Sequence, residues 1–378
     1  MEKIEDNQKQ EINCKIENLK KSPVFAMSLG SHELFHSNFW QWLINHNTEY
    51  SKVFFSEISD VSSVIREQKN RDLTIWTKDK KAYVIENKLK SMPCEAQLEI
   101  YQADLGQQFT KGCLAGITDL HSKSSDWKYL SYKDIGNRII EKAGTYEKNE
   151  FEKNLIIEYG NTIIALYDIL TNFTQKFSNK LIANSDIPEK IKEIRLDDIV
   201  KKLNGDMFAQ YLQPIKEKLE TLIKGESATK VVVQSWYSNK SSVIDVRFIK
   251  NDKDLKDKND KAPNRIVIGI EIQGGQYRIL AERKTKTINK KDKSYCEKVF
   301  EEFKKAEWFY NYKGEKVILG KPTSLSNEFN RYEQKSGNES DYHCVYQYWN
   351  IEEWSFEYLA SQILQDMEKA AKIITKIS

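Results

Sequence analysis

The stretch Arg71 to Lys88, "RDLTIWTKDKKAYVIENK", narrows most sharply what this chain can fold into. Two runs rich in β-branched, aromatic and aliphatic residues flank the polar Lys78-Asp79-Lys80-Lys81, the pattern of two antiparallel strands joined by a short turn. Successive side chains on a strand point to opposite faces. Ala82, Val84, Glu86 and Lys88 therefore share one face, and Tyr83, Ile85 and Asn87 share the other. Glu86 and Lys88 project together from the end of an apolar strand, and the turn folds Asp72 back towards that end. Two carboxylates and one ammonium are expected to converge. A pair of hard oxygen donors suits Mg2+ or Mn2+ and leaves coordination positions for water and a phosphate oxygen. Lys88 beside them can hold the attacking water and offset charge on a phosphorane-like transition state. The plain alternative is a solvated strand end.

The flanking segments give this hairpin a setting. "SHELFHSNFWQWLINH" places Leu34, Phe35, Phe39, Trp42 and Leu43 at helical spacing, which predicts an amphipathic helix with those residues facing a core and Ser31 capping its start. "SSVIREQ" reads as a third strand. "CEAQLEIYQADLGQQF" predicts a helix through Ala96, Leu98, Ile100, Tyr101 and Leu105, and "GCLAGIT" a short apolar strand. The order is helix, three strands, helix, strand.

With this order, Glu86-Asn87-Lys88 as the D/E-x-K element and Asp72 as the preceding acid, the chain resembles the PD-(D/E)XK nuclease superfamily over residues 28 to 135. Arg71 stands where the motif's name has Pro. The E-x-x-H-S of Glu33, His36 and Ser37 is similar to the first-helix signature of one bacterial branch, in which the Glu faces the metal. Gln97 and Tyr101 are similar to the Q-x-x-x-Y of a branch related to RecB-like exonucleases. Spelling alone carries little, since Asp254-Leu255-Lys256 also fits the D/E-x-K element from within an unpatterned charged loop. The resemblance implies an α/β (α+β) fold with a restriction-endonuclease-like core and a metal-dependent nuclease. Asp72, Glu86 and Glu33 would hold Mg2+ or Mn2+, Lys88 and Gln97 would complete the catalytic centre, and His36, Ser37 and Tyr101 would be accessory. DNA is the implied substrate, in a bacterial cytoplasm, in defence against foreign DNA or in DNA processing. The alternative is a catalytically weak module of the same fold that binds nucleic acid or protein.

"HELFH", residues 32 to 36, also spells the H-E-x-x-H of a zinc peptidase helix, with His32 and His36 on one face and Glu33 beside them. The extended form with a third His is absent, and Glu57 is the downstream acid at a plausible distance for the remaining ligand. The nuclease reading uses Glu33 and His36 without needing His32 and is the more economical.

Beyond this core, apolar spacing through Leu155, Ile156, Tyr159, Ile163, Leu166, Tyr167, Leu170 and Phe173 predicts a long buried helix. From "KVVVQSWYSNKSSVIDVRFIK" onward the pattern becomes β. The alternation Ile266, Ile268, Ile270, Ile272 before Gly274-Gly275 predicts an antiparallel hairpin, and helices near Tyr295 to Phe309 and Glu352 to Ile374 flank an aromatic strand "YHCVYQYW". We divide the chain into an N-terminal helical segment (1–27), the nuclease-like core (28–145), a helical segment (146–225) and a C-terminal antiparallel α+β region (226–378), a candidate surface for a protein partner. Its 59 basic and 56 acidic side chains nearly cancel, so only local patches point to nucleic acid. Lys286, Lys290 and Lys291 lie in one such run and are candidate phosphate contacts. Five scattered cysteines without a C-x-x-C pair read as reduced thiols of a cytoplasmic protein. The charged N-terminus reads as neither signal peptide nor anchor, and no membrane contact is expected.

Overall fold

The computed structural model describes residues 2–28, 32–90, 95–118, 125–145, 149–177, 179–182, 186–226, 228–238, 241–251, 265–273, 275–284, 301–309, 330–334, 342–350 and 355–376. The chain is mixed α/β and divides into two compact units, Met1–Lys176 with Ile187–Leu203, and Phe177–Asp186 with Asn204–Ser378. Among the described residues no helix is long and apolar enough to cross a membrane.

The first unit opens with helices α1 (Glu2–Lys21), α2 (Pro23–Ser28) and α3 (His32–His46). A mixed five-stranded sheet follows in the order β1-β2-β3-β4-β5: Val61–Gln68, Arg71–Thr77, Ala82–Lys88, Phe109–Gly116 and Trp127–Ser131. β1, β2 and β3 pair antiparallel, whereas β3–β4 and β4–β5 are parallel. Helix α4 (Glu95–Leu105) makes the crossover from β3 to β4, as a parallel connection requires. At the tight turn between β1 and β2, Lys69 and Asn70 both take positive φ, 54° and 64°, the backbone that a two-residue turn needs to match strand twist. β3 lies at the middle of the sheet and is buried on both faces, which explains its nearly continuous apolar run.

The two faces of β3 differ in their cover. Ala82 and Val84 pack with Leu98, Tyr101 and Leu105 of α4 and with Leu114 and Trp127. The Asn87 face is tied to α3 and to α5 (Tyr132–Gly144). Helix α5 runs against α6 (Glu150–Lys176) at Gly136 and Gly160. A Cβ on Gly136 would stand 2.8 Å from the carbonyl oxygen of Gly160, so this crossing depends on the missing side chain.

On α3 the buried positions are His36, Ser37, Trp40, Leu43 and Ile44, so the inward stripe is rotated from the expected one: Leu34 is 42% exposed, and Phe35, Phe39 and Trp42 are half-buried. The rotation is possible because His36 and Ser37 find hydrogen-bond partners inside. On α4, Leu98, Tyr101 and Leu105 face inward while Ile100 is exposed. β5, α5 and strand β10 (Asn330–Gln334) were not expected from the patterning.

The second unit is built on a six-stranded antiparallel sheet in the order β10-β11-β9-β8-β7-β6. Its other strands are β6 (Thr229–Ser238), β7 (Ser241–Asn251), β8 (Arg265–Gln273), β9 (Gln276–Lys284) and β11 (Tyr342–Asn350). Ile266, Ile268, Ile270 and Ile272 form one core with Phe208, Leu212, Leu219 and Ile223 and with the C-terminal helix Phe356–Ile374. Residues 204–225, grouped by patterning with the preceding helices, thus belong to this unit. The other sheet face carries Arg247 bound to Asp245 (2.6 Å), Glu271 (2.8 Å) and Glu282 (3.3 Å). Lys286, Lys290 and Lys291, Gly274, and the Asp254-Leu255-Lys256 segment lie outside the described residues, as does the start of the helix expected from Tyr295.

Candidate functional site

The β2–β3 register pairs Leu73 with Ile85 and Thr74 with Val84, and one further step sets Asp72 across from Glu86. Cross-strand neighbours share a face, so the two carboxylates stand side by side at the strand ends. Asp72 Oδ2 accepts the Asn87 backbone N–H at 2.7 Å. Glu86 is only 2% exposed. Its Oε1 meets Lys88 Nζ at 2.7 Å and accepts from Gln97 Nε2 at 3.0 Å, while its buried Oε2 has no hydrogen-bond partner.

Gln97, at the start of α4, reads both charges at once: its Oε1 accepts from Lys88 Nζ at 3.1 Å while its Nε2 donates to Glu86. Tyr101, one helical turn on, accepts from the same Nε2 and donates to the Asn70 carbonyl at 2.5 Å. The i, i+4 spacing of Gln97 and Tyr101 puts both over the strand face that carries Glu86 and Lys88. Tyr101 is thus a brace from α4 to the β1–β2 turn.

Burial raises the Asp72 carboxyl to about 7, and the neighbouring Glu86 charge adds to the rise against the pull of the Asn87 amide and Lys88. Burial also raises Glu86, opposed chiefly by the Lys88 charge. Tyr101 is pushed up to about 12, first by burial and then by Glu86. An added positive charge at this pair would relieve what a single lysine does not.

Glu33 approaches from α3. Its Oε1 accepts the Lys90 backbone N–H at 2.7 Å, two residues beyond Lys88, and its charge is felt at both Asp72 and Glu86. Among the described residues no group of three or more His, Cys, Asp or Glu side chains is gathered so as to hold a metal, so Glu33 does not complete a three-carboxylate cage with Asp72 and Glu86. A cation here would rest on two carboxylates and complete its shell with water and phosphate oxygens, the usual habit of Mg2+. The donor set and the partnerless Glu86 Oε2 fit such a cation.

His36 sits in the core. Its Nδ1 is 3.0 Å from the Tyr159 hydroxyl, and its ring packs against Tyr132, Tyr159 and Trp40. The side chain of His32 lies outside the described residues. Glu57 pairs with Lys111 at 2.7 Å and lines a cleft of about 920 Å³ in which none of Asp72, Glu86 and Lys88 takes part. Arg71, in the place of the motif's Pro, is buried and bonds Asp104 and Thr74.

Sequence reasoning missed Asn87. It is 1% exposed, and its Nδ2 donates to the Glu33 carbonyl at 2.8 Å and to Ser37 Oγ at 3.4 Å, while its Oδ1 accepts from the Tyr132 hydroxyl. The signal available was an amide on the inward face of an otherwise apolar strand, which has to find partners when buried. No protein-family model, no curated protein and no solved structure matches this chain.

Proposed function

We propose that this protein is a metal-dependent nuclease that hydrolyses phosphodiester bonds in DNA, with residues 28–145 as a restriction-endonuclease-like core. The observation that carries the reading is the buried Asp72–Glu86 pair, with Lys88 at 2.7 Å from one oxygen of Glu86 and the other oxygen without a partner. The order α3, β1-β2-β3, α4, β4 supports it, with the antiparallel strands first and the parallel one after the crossover.

Asp72 and Glu86 hold Mg2+ or Mn2+ in this reading. The ion when bound supplies Lewis-acid activation of the scissile phosphate and of water. Lys88 keeps a water in line with phosphorus and balances the charge that gathers on the phosphoryl oxygens as the new P–O bond forms and the ester P–O bond breaks. Gln97 fixes Glu86 and Lys88 relative to each other, which matters because a site displaced by 1 Å loses about 100-fold in rate. Tyr101 fixes Gln97. The surroundings of His36 give a zinc peptidase no comparable support.

The test is Lys88→Ala. Divalent-dependent cleavage of DNA is expected to fall by about 100- to 1000-fold, while the circular dichroism spectrum and DNA retention stay as in wild type. An unchanged cleavage rate removes the nuclease assignment.

A further inference from the structure

Asn87 lies between Glu86 and Lys88 in sequence yet faces the opposite side of the sheet. Its side chain makes three hydrogen bonds there, to α3 and α5, and its backbone N–H adds a fourth, to β2. Its backbone N–H goes to Asp72 Oδ2 on β2, its side-chain N–H groups go to Glu33 and Ser37 on α3, and its side-chain oxygen receives the Tyr132 hydroxyl from α5.

The Glu33 carbonyl takes two side-chain donors, Asn87 Nδ2 at 2.8 Å and Ser37 Oγ at 3.1 Å. Three residues after Asn87, the Lys90 amide holds the Glu33 carboxylate itself. The first turn of α3 is therefore fastened to the end of β3 at two points, one on its main chain and one on its acid. A buried amide with both ends bonded has one orientation. The Glu33 carbonyl, which can only accept, selects it by requiring the N–H end, and the fully enclosed Tyr132 hydroxyl holds the other end by donating to the oxygen.

We propose that Asn87 is a positioning residue of the carboxylate site: its side-chain amide clamps the first turn of α3 and thereby sets where the Glu33 carboxylate stands relative to Asp72 and Glu86. The proposal rests on the reading of Asp72 and Glu86 as cation ligands. Glu33 contributes to the cation through its charge, which reaches both Asp72 and Glu86, and Asn87 contributes only through Glu33. The E-x-x-H-S spacing acquires a physical meaning from this arrangement. Glu33 offers its carbonyl and its acid to β3, Ser37 one turn later meets the same amide, and His36 turns to Tyr159.

The experiment is a double-mutant cycle on the full chain, read by calorimetric Mn2+ affinity and by the cleavage rate at saturating Mn2+. Asn87→Ala alone is expected to weaken Mn2+ binding about tenfold, as is Glu33→Gln alone, and the double variant to be no weaker than either within about twofold. A structural defect that does not act through Glu33 gives additive losses near 100-fold in the double variant, and that result overturns the proposal. An Mn2+ affinity in Asn87→Ala equal to wild type also overturns it. If Asn87→Ala does not fold, Tyr132→Phe carries the same cycle, because it deletes only the hydroxyl that holds the oxygen end of the amide. Wild-type protein that binds no Mn2+ defeats the metal reading and this proposal with it. Wild-type protein that binds Mn2+ and cleaves DNA, but gives an additive cycle, defeats this proposal alone.

Discussion

Replacing Asp72 by Asn should stabilise the metal-free protein at neutral and alkaline pH, although it removes a side chain from the centre of the site. Asp72 ionises near 3.8 when free and near 7 in the fold, because burial and the Glu86 charge disfavour its anion. The folded state therefore binds more protons than the unfolded state between these two values, and stability falls as pH rises through that window. Below about pH 4 the residue costs nothing, and above about pH 7 its ionisation costs on the order of 4 kcal/mol. Asn keeps an acceptor for the Asn87 amide at this position and carries no charge. For a unit of this size, a gain of ~4 kcal/mol raises the melting temperature by roughly 8 to 16 °C. The assay is urea and thermal unfolding with EDTA at pH 4.5 and pH 8, following the transition of the first unit. Wild type and Asp72→Asn should differ little at pH 4.5, with the variant ahead at pH 8. Excess Mn2+ should narrow the gap at pH 8 by stabilising wild type alone, by RT ln(1 + [L]/Kd). A variant that is less stable than wild type at pH 8 without metal refutes the electrostatic account of the site.

In the second unit, Arg247 neutralises three carboxylates on a largely buried sheet face, so Arg247→Met should destabilise that unit by about 3 to 5 kcal/mol in urea unfolding, because Asp245, Glu271 and Glu282 lose their shared cation. A loss below 1 kcal/mol would show that the network is not holding the sheet. Gly112→Ala would put a Cβ 2.2 Å from the Trp127 ring; it is expected to cost at least 1 to 3 kcal/mol and to shift the tryptophan emission of the first unit, and wild-type stability in that variant would contradict the packing described.

The part of this architecture that local pattern determines was legible in the sequence. The hairpin of β2 and β3, the face shared by Glu86 and Lys88, and α4 as a helix follow from period-2 and period-3.6 spacing, whereas Gln97 was singled out by the Q-x-x-x-Y resemblance alone. What patterning missed depends on tertiary partners. The inward stripe of α3 includes His36 and Ser37, polar residues that hydropathy assigns to the outside and that Tyr159 and the Glu33 carbonyl satisfy inside. Helix α5 has Gly136 in its interior, a poor helix former that is there because α6 passes too closely for any side chain. Asn87 looked like a spacer between two charged residues until Glu33, Ser37 and Tyr132 were brought to it.

The same geometry sets this carboxylate pair apart from a solvated strand end. Charged residues that merely finish a strand keep water around them, and their ionisation then follows the free side chain. Glu86 is instead enclosed under α4, and Asp72 beside it is driven up to about 7. Lys88 compensates one carboxylate at one oxygen, which leaves Glu86 Oε2 without a hydrogen bond and Asp72 with a single amide from Asn87. Holding two acids this way costs stability in the bare protein, and replacing either by a neutral side chain removes its own share of that cost and its repulsion of the other. A positive charge placed between them would offset it as well, which is the part the proposed cation plays.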